Sequence, residues 1–197
     1  MEMNWGDQLV DVLLSGDDAR AEAIVPALAS LEPEPVVLAL KRRLPGAAAD
    51  ARWWIARALA VAPHPESASL LIQLVNDPDS DVRTCAAMSL GELKESSGAQ
   101  GVDALAAHLA DENAHVAELC TVALWRIGAA AVPALLHKLE TGNVLERIRA
   151  AKALVPVESH DAIPALIHAL DDENAVVTHY AEDALARMGV GMILVKP

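Results

Sequence analysis

A repeat of about 31 residues runs through nearly the whole chain and constrains its fold more than any other feature. One series of apolar residues recurs at intervals of 31, 34, 30 and 31: Leu59, Leu90, Leu124, Leu154 and Leu185. A second series keeps the same intervals upstream: Leu44, Val75, Leu109, Leu139 and Leu170. Two series at a fixed offset predict two helices in each repeat. Repeats of roughly 20–50 residues with two helical elements are typical of α-solenoids, in which neighbouring helix pairs share a core.

Each predicted second helix is preceded by a short polar cluster that can cap it. Residues 77–83, Asp-Pro-Asp-Ser-Asp-Val-Arg, give the clearest case, and residues 111–113 and 172–174 repeat the pattern. Asp and Asn side chains accept hydrogen bonds from the free amides of the first helical turn, and carboxylates favour the positive helix end. Residues 50–52 match residues 81–83 in register, so a further unit belongs to the series.

Proline marks the start of the predicted first helices, as in residues 131–135 and 162–166, which are near copies. Proline in the first turn costs no hydrogen bond, because that amide has no partner in the helix. The marks together predict six helix pairs, at about 4–30, 35–62, 66–95, 101–128, 131–157 and 161–189. We expect residues 1–197 to form one cooperative domain, with an N-terminal capping unit at 1–30 and an apolar C-terminal tail at 190–197.

The pattern in residues 81–91, Asp-Val-Arg followed by an Ala-Ala pair and Ser-Leu-Gly, resembles the HEAT repeat. More narrowly, it resembles the short HEAT-like repeat first described in phycobilisome bilin lyases. The resemblance extends from about Asp18 to Gly189. It implies an all-α fold, a right-handed α-α superhelix of about six helix pairs. It does not fix a function, because the same repeat occurs in lyase subunits, hydroxylases, DNA glycosylases and bacterial adaptors.

The chain is strongly acidic, with 15 Lys and Arg against 28 Asp and Glu and a formal net charge of −13. This charge repels phosphate backbones, so we expect no nucleic-acid binding, whereas a basic protein partner is compatible with it. The sequence has no run of 18 apolar residues and no signal-peptide pattern, so no membrane association is predicted. The only cysteines, Cys85 and Cys120, lie at apolar helix positions, which favours buried thiols and a cytoplasmic protein.

Neither a metal site nor a catalytic centre is predicted. The resemblance includes the di-iron deoxyhypusine hydroxylases, which carry His-Glu pairs, but none of the seven histidines here is followed by Glu. His137 and His168 occupy matching positions in successive first helices, yet two imidazoles alone make a poor metal site. The Ser and Cys residues have no Gly-rich elbow, and no glycine loop can cradle a phosphate. We therefore expect no cofactor, no metal and no catalytic residue.

The outward-facing side of the second helices is the candidate binding surface. In the HEAT family these helices line the concave face, and the register places there the residues two and six positions after Val82 and its equivalents, Thr84 and Ile148 among them. With the flanking aromatic residues, the predicted site consists of Trp53, Trp54, Arg57, Met88, Glu118, Val122, Trp125, Lys152, His179 and Asp183. Trp, Tyr, Arg and Met are typical of interface hot spots. Alternatively, the tryptophans fill gaps between alanine-rich helices.

Arginine recurs at one position beside the opening aspartate, as Arg52, Arg83 and Arg147. Such a row can bind an anionic ligand, or each arginine can pair with the aspartate of a neighbouring unit. Because each arginine recurs together with the repeat, the sequence favours the ion-pair ladder.

Three functions are compatible with these residues. The first is a non-catalytic interaction module or scaffold that binds a protein or peptide, with the tryptophans as apolar anchors. In it, Glu118 and Asp183 attract a basic segment, and Arg57 and Lys152 fix its register. The second is a bilin lyase- or isomerase-like subunit, suggested by the repeat subtype, which would hold a tetrapyrrole on the same surface. The third is an acidic inhibitor or immunity-type protein that neutralises a basic toxin.

Overall fold

The computed structural model describes residues 5–93 and 98–190, and all regular elements within these ranges are α-helices or short 3₁₀ turns. The chain divides into two compact units, Met1–Gly101 and Val102–Pro197. Each unit contains three helix pairs, as the repeat predicts. That the whole chain unfolds as one cooperative domain stays a prediction.

The first unit is a stack of paired helices. Its helices are α1 (Trp5–Leu13), α2 (Asp18–Leu28), α3 (Pro33–Arg43), α4 (Ala49–Leu59), α5 (Pro65–Val75) and α6 (Ser80–Glu92), followed by a 3₁₀ turn at Ala99–Gly101. The first helices α1, α3 and α5 pack on one another in order, and the second helices α2, α4 and α6 do the same. Residues 4 and 94–95 of the predicted pairs lie outside the described residues.

The second unit repeats this arrangement. Its helices are α7 (Val102–Ala107), α8 (Ala114–Ile127), α9 (Val132–Thr141), α10 (Val144–Val157), α11 (Ile163–Ala169) and α12 (Ala175–Arg187), with 3₁₀ turns at Gly128–Ala131 and His160–Ala162. The helices α7, α9 and α11 form one layer, and α8, α10 and α12 form the other. Each layer contributes its apolar face to the core between them.

Both apolar series point into the cores, as predicted. Within the leucine series, Leu59, Leu90 and Leu124 are completely buried, and Leu154 and Leu185 are 1% exposed. In the upstream series only Leu170 is partly exposed, because it caps the short helix α11 at the start of the following turn. The spacing of apolar residues therefore identified the core correctly.

The predicted helix caps are present. The side chain of Asp79 accepts hydrogen bonds from the amides of Asp81 and Val82, and Asn113 and Asn174 cap α8 and α12 in the same way. Asn143 forms a capping box with Glu146 at the start of α10. These bonds satisfy amides that the helix itself leaves unpaired, which explains why the polar clusters precede the second helices.

The arginine ladder is confirmed. Arg52 donates from Nε and Nη2 to the carboxylate of Asp77, at 2.6 and 2.8 Å, and Arg147 donates in the same way to Asp172, at 2.8 and 3.1 Å. Arg52, Arg83 and Arg147 each also donate from Nη1 to the carbonyl oxygen five residues earlier. The hydrogen bond from Arg147 lowers the pKa of Asp172 below its usual range. Arg52 and Arg147 each tie one helix pair to the next helix pair of the same compact unit.

The N-terminal pair is held to the next one by charge and close packing. Arg42 and Arg43 of α3 donate to the carboxylate of Asp7 on α1, at 2.7 and 3.4 Å. A Cβ atom at Gly6 would lie 2.6 Å from the carbonyl oxygen of Pro35, so α1 approaches the start of α3 too closely for a larger residue. The capping pair therefore follows the stacking of the later units.

Helix α12 ends in a glycine-terminated turn. Gly189 has a φ of 76°, and its amide donates to the carbonyl of Ala186 while that of Val190 donates to Leu185. This pair of bonds is a Schellman motif, which stops the helix at a residue that tolerates the left-handed conformation. Apart from Val190, the predicted apolar tail at 190–197 lies outside the described residues.

One stretch of the described chain, Ala114–Thr141, is apolar and long enough to cross a membrane by these two criteria alone. It comprises α8 and α9, which Gly128 separates with a φ of 77°. The two helices bury Leu124 and Leu135 completely. The stretch therefore contributes to the core of the second unit.

Candidate functional site

The first unit contains a groove of about 220 Å³ between the second helices α4 and α6. The residues that line it come from one face of each helix: Trp53, Arg57, Thr84, Cys85, Met88, Ser89 and Glu92. The repeat register had placed Trp53, Arg57, Thr84 and Met88 on this surface. Sequence reasoning thus found four of the seven lining residues.

The two adjacent tryptophans of α4 have different roles. Trp54 is buried, with 9% exposure, and its indole Nε1 donates to the Asp18 carboxylate of α2 at 3.1 Å. The expectation that Trp54 is a surface anchor therefore needs correction, because its ring fills the space between α2 and α4. The ring of Trp53 packs edge-to-face against that of Trp54, with centroids 4.8 Å apart and planes at 88°. Trp54 thereby holds Trp53 in place as a wall of the groove.

The floor of the groove fixes α6 against α4. Ser89 donates from Oγ to the carbonyl oxygen of Ala56 at 2.9 Å, and the Cys85 thiol contacts the carbonyl of Trp53 at 3.6 Å. Burial raises the pKa of Cys85 to about 12, so this thiol is a packing residue and a poor nucleophile. The two contacts to the backbone of α4 preform the groove.

Sequence reasoning missed these floor residues, although one signal was present. The residue before the recurring leucine is small in all five repeats that contain this leucine: Ala58, Ser89, Ala123, Ala153 and Ala184. Small residues allow the second helices to approach closely. Ser89 is the one polar member of this series, and its hydroxyl bonds to the neighbouring helix.

The remaining walls combine an exposed apolar side chain with a loose ion pair. Met88 is 44% exposed on α6 and lies across the groove from α4. Arg57 Nη1 lies 3.9 Å from Glu92 Oε2, at the C-terminal end of the two helices. Methionine adapts its shape to a bound group, so this groove has one rigid wall, Trp53, and one adaptable wall.

At the equivalent place in the second unit, between α8 and α10, an ion pair takes the place of the groove. Glu118 of α8 and Lys152 of α10 stand at the repeat positions of Trp53 and Met88, and Lys152 Nζ donates to Glu118 Oε1 at 2.5 Å. The two side chains that were expected to attract and align a basic segment are therefore paired with each other. The repeat alone does not produce an apolar groove.

The other predicted residues of the second unit lie at the surface. Trp125 is 40% exposed on α8, and Val122 is half-buried on the same face, one turn earlier. His179 is exposed on α12, with its ring centroid 5.6 Å from that of Tyr180. Asp183 pairs with Arg187 within the same helix, at 3.6 Å. Trp125 and Val122 thus present apolar surface on α8.

A second groove, of about 360 Å³, was not predicted from the sequence. It lies in the second unit, where Leu139, Ala165 and Ala169 meet the Arg147–Asp172 pair and the polar side chains Glu140, His168, Asp171 and Glu173. Its carboxylates are mostly exposed, and Asp172 is engaged by Arg147. The Arg147–Asp172 ion pair that forms one wall of this groove is one of the recurring arginine–aspartate pairs that hold neighbouring helix pairs together.

Within residues 5–93 and 98–190, no group of three or more His, Cys, Asp or Glu side chains is arranged to hold a metal ion. His137 and His168, the matched pair from α9 and α11, are both exposed. That the protein carries no functional metal stays a prediction.

Solved structures with a similar fold are helical-repeat proteins. An engineered protein shares 21% identity over 96% of this chain and 98% of its own, with a TM-score of 0.54. A designed armadillo repeat protein in complex with the peptide (KR)4 shares 19% over 92% and 98%, with a TM-score of 0.53. The complex of CpcE and CpcF of phycocyanin lyase from Nostoc sp. PCC7120 shares 22% over 96% and 78%, with a TM-score of 0.51. These identities establish the fold alone.

No curated protein matches the sequence at a significant level. The family described as HEAT repeats matches twice, over residues 37–124 and 102–186, which together cover most of the chain. The predicted all-α solenoid fold is confirmed by this match and by the similar structures. The chain belongs to the HEAT-repeat family.

Proposed function

We propose that this protein is a non-catalytic binding module that holds a segment of a protein partner in the groove between α4 and α6. The observation that carries the proposal is the preformed apolar groove, with Trp53 as one wall and the exposed Met88 as the other. Methionine is enriched at protein interfaces, and tryptophan in a central, well-packed pocket is typical of the hot spots that supply most of the binding energy.

The size of the groove favours a side chain over a cofactor. Pockets for drug-sized ligands have volumes of about 300–1,000 Å³, whereas this groove has about 220 Å³. A tetrapyrrole is larger than a drug-sized ligand, so the groove supports the lyase-like alternative less well than a peptide-binding role. One aliphatic side chain of a partner, by contrast, fits between two walls that are already in place.

The patch at Trp125 provides a second contact in this proposal. Trp125 and Val122 present apolar surface on α8, next to the Glu118–Lys152 pair. Since that pair satisfies both charges in the free protein, its contribution to binding is small unless a partner replaces one member. Trp53 and Met88 therefore carry the principal contact, and Trp125 offers a separate apolar contact on the second unit.

The test is affinity capture from cells of the native host, with quantitative mass spectrometry of the captured proteins. The Met88→Lys variant is suited to this test, because Lys152 occupies the same position in a later repeat, so the fold tolerates lysine at that position. The Trp5→Ala variant is the control for Trp53→Ala, since Trp5 is an accessible tryptophan, 40% exposed, that lies on α1 away from the groove.

The expected result is a partner that wild type and Trp5→Ala retain equally and that Met88→Lys and Trp53→Ala lose. Circular dichroism melts of all variants test whether the loss is caused by unfolding. Equal capture by wild type and Met88→Lys would remove the groove from the function, whatever the partner is.

A further inference from the structure

Resting on the proposed function, we infer that the groove is specific for one kind of segment. An aliphatic side chain lies between Trp53 and Met88, and a Lys or Arg about three residues away pairs with Asp50 and Asp81. The partner is therefore a protein with an accessible segment in which a basic residue and an aliphatic residue lie about three residues apart.

The two aspartates lie on the same helix faces as the groove. On α4, Asp50 precedes Trp53 by three residues, and on α6, Asp81 precedes Thr84 by three and Met88 by seven. Residues three, four and seven apart share a face of an α-helix. Asp50 and Asp81 therefore lie at the N-terminal end of the groove, and the Arg57–Glu92 pair lies at the other end.

Both carboxylates are accessible to a partner. Asp50 and Asp81 are both exposed, and neither side chain forms an ion pair with any residue that the structure describes. The nearby Asp77, by contrast, is engaged by Arg52, and Asp79 caps α6. Two unpaired carboxylates beside an apolar pocket complement a segment with a positive charge next to its apolar side chain.

The spacing of the partner residues follows from helix geometry. At a rise of 1.5 Å per residue, the seven residues from Asp81 to Met88 cover about 10 Å along α6. An extended peptide advances about 3.3 Å per residue, so about three residues of the partner span the same distance. The length of a Lys or Arg side chain allows a tolerance of one residue on either side.

The acidic end is a property of the first unit and not of the repeat. The positions equivalent to Asp50 and Asp81 in the second unit are His115, Leu145 and Val176. There, the apolar groove is also replaced, by the Glu118–Lys152 ion pair. The two features that we assign to recognition occur together in the first unit, and both are missing at the equivalent positions of the second.

The experiment is a selection of random twelve-residue peptides displayed on phage against the full-length wild-type protein, with counter-selection on Met88→Lys. Selected peptides are synthesised with a fluorescent label, and their dissociation constants are measured by fluorescence anisotropy. For each peptide, the aliphatic residue is replaced by alanine and the basic residue by glutamate.

Four protein variants test the acidic end and the apolar groove separately, each with a matched control. Asp50→Asn/Asp81→Asn removes the acidic end, and Asp103→Asn/Asp161→Asn is the control with the same change in net charge at two exposed residues of the second unit. Trp53→Ala removes the rigid wall, and Trp5→Ala is its control. We expect the double variant of the groove to weaken binding about fivefold to tenfold, as two exposed charge pairs would. Trp53→Ala should weaken it at least about thirtyfold, as hot-spot substitutions do.

The outcomes are distinguishable. If selected peptides need Trp53 but show no basic residue, or bind Asp50→Asn/Asp81→Asn as tightly as wild type, the inferred specificity is overturned and the groove function stands. If both double variants weaken binding equally, the effect is general electrostatics and the inference fails. If no peptide distinguishes wild type from Met88→Lys and Trp53→Ala, the groove function fails as well.

Discussion

Replacement of Leu124 by alanine tests the register on which the whole interpretation depends. Leu124 is completely buried on α8, in the layer formed with α10. Alanine has three fewer carbon atoms, and at about 0.8 kcal/mol per buried methylene their loss costs about 2.4 kcal/mol. The cavity that remains adds a further penalty, so the expected loss in the free energy of unfolding is about 2.5–5 kcal/mol.

The assay is urea denaturation followed by far-ultraviolet circular dichroism. Leu145→Ala is the matched control, because Leu145 lies on α10 in the same unit but is 51% exposed, and it should cost less than about 0.5 kcal/mol. The denaturant dependence of the free energy must be unchanged, so that the two-state comparison holds. A loss below about 1 kcal/mol for Leu124→Ala, or one equal to that of Leu145→Ala, would refute the register.

Three further predictions follow from particular contacts. Burial alone would raise the pKa of the Asp77 carboxyl group, but the hydrogen bonds from Arg52 and the Asp79 amide outweigh it and lower the pKa. The ionised carboxylate therefore stabilises the folded protein above the ordinary pKa of 3.8, and this contribution is lost as the pH falls through the folded-state pKa. The urea midpoint of wild type should therefore decrease more steeply below about pH 4 than that of Asp77→Asn; parallel curves would contradict this. Cys85 and Cys120 are 4% and 0% exposed, so neither should react with a thiol reagent at pH 8 in the folded protein, while both react in denaturant; rapid native labelling would show that the floor of the groove opens. Gly6→Ala should destabilise the first unit by about 1–3 kcal/mol, since its Cβ would meet the carbonyl oxygen of Pro35, and an unchanged melt would mean that α1 is not seated there.

The fold was predictable because its determinants recur. Leu90 and Leu124 mark the same core position in successive units, and Asn113 and Asn174 cap equivalent helices, so each mark supports the others. The ion pair between Arg52 and Asp77 was predictable for the same reason. Features that repeat with the structural unit are visible in a single sequence.

The candidate site was less predictable, because it depends on departures from the repeat. Periodicity assigned a helix face to Trp53 and Met88 but could not separate Trp53 from the buried Trp54, whose orientation is set by Asp18 on another helix. It also could not show that Glu118 and Lys152 pair with each other. Contacts across a seam involve two helices at once, and the sequence of one helix does not determine them.

Methyl NMR of the protein labelled at its five methionines reports directly whether a partner binds in the groove between α4 and α6. Met88 lies in the groove beside Trp53, whose ring shifts nearby methyl resonances, whereas Met188 lies at the end of α12 and serves as an internal reference. On titration with a selected peptide, the Met88 methyl resonance should move in step with the binding curve while that of Met188 stays in place. Saturating binding with an unmoved Met88 resonance would contradict it.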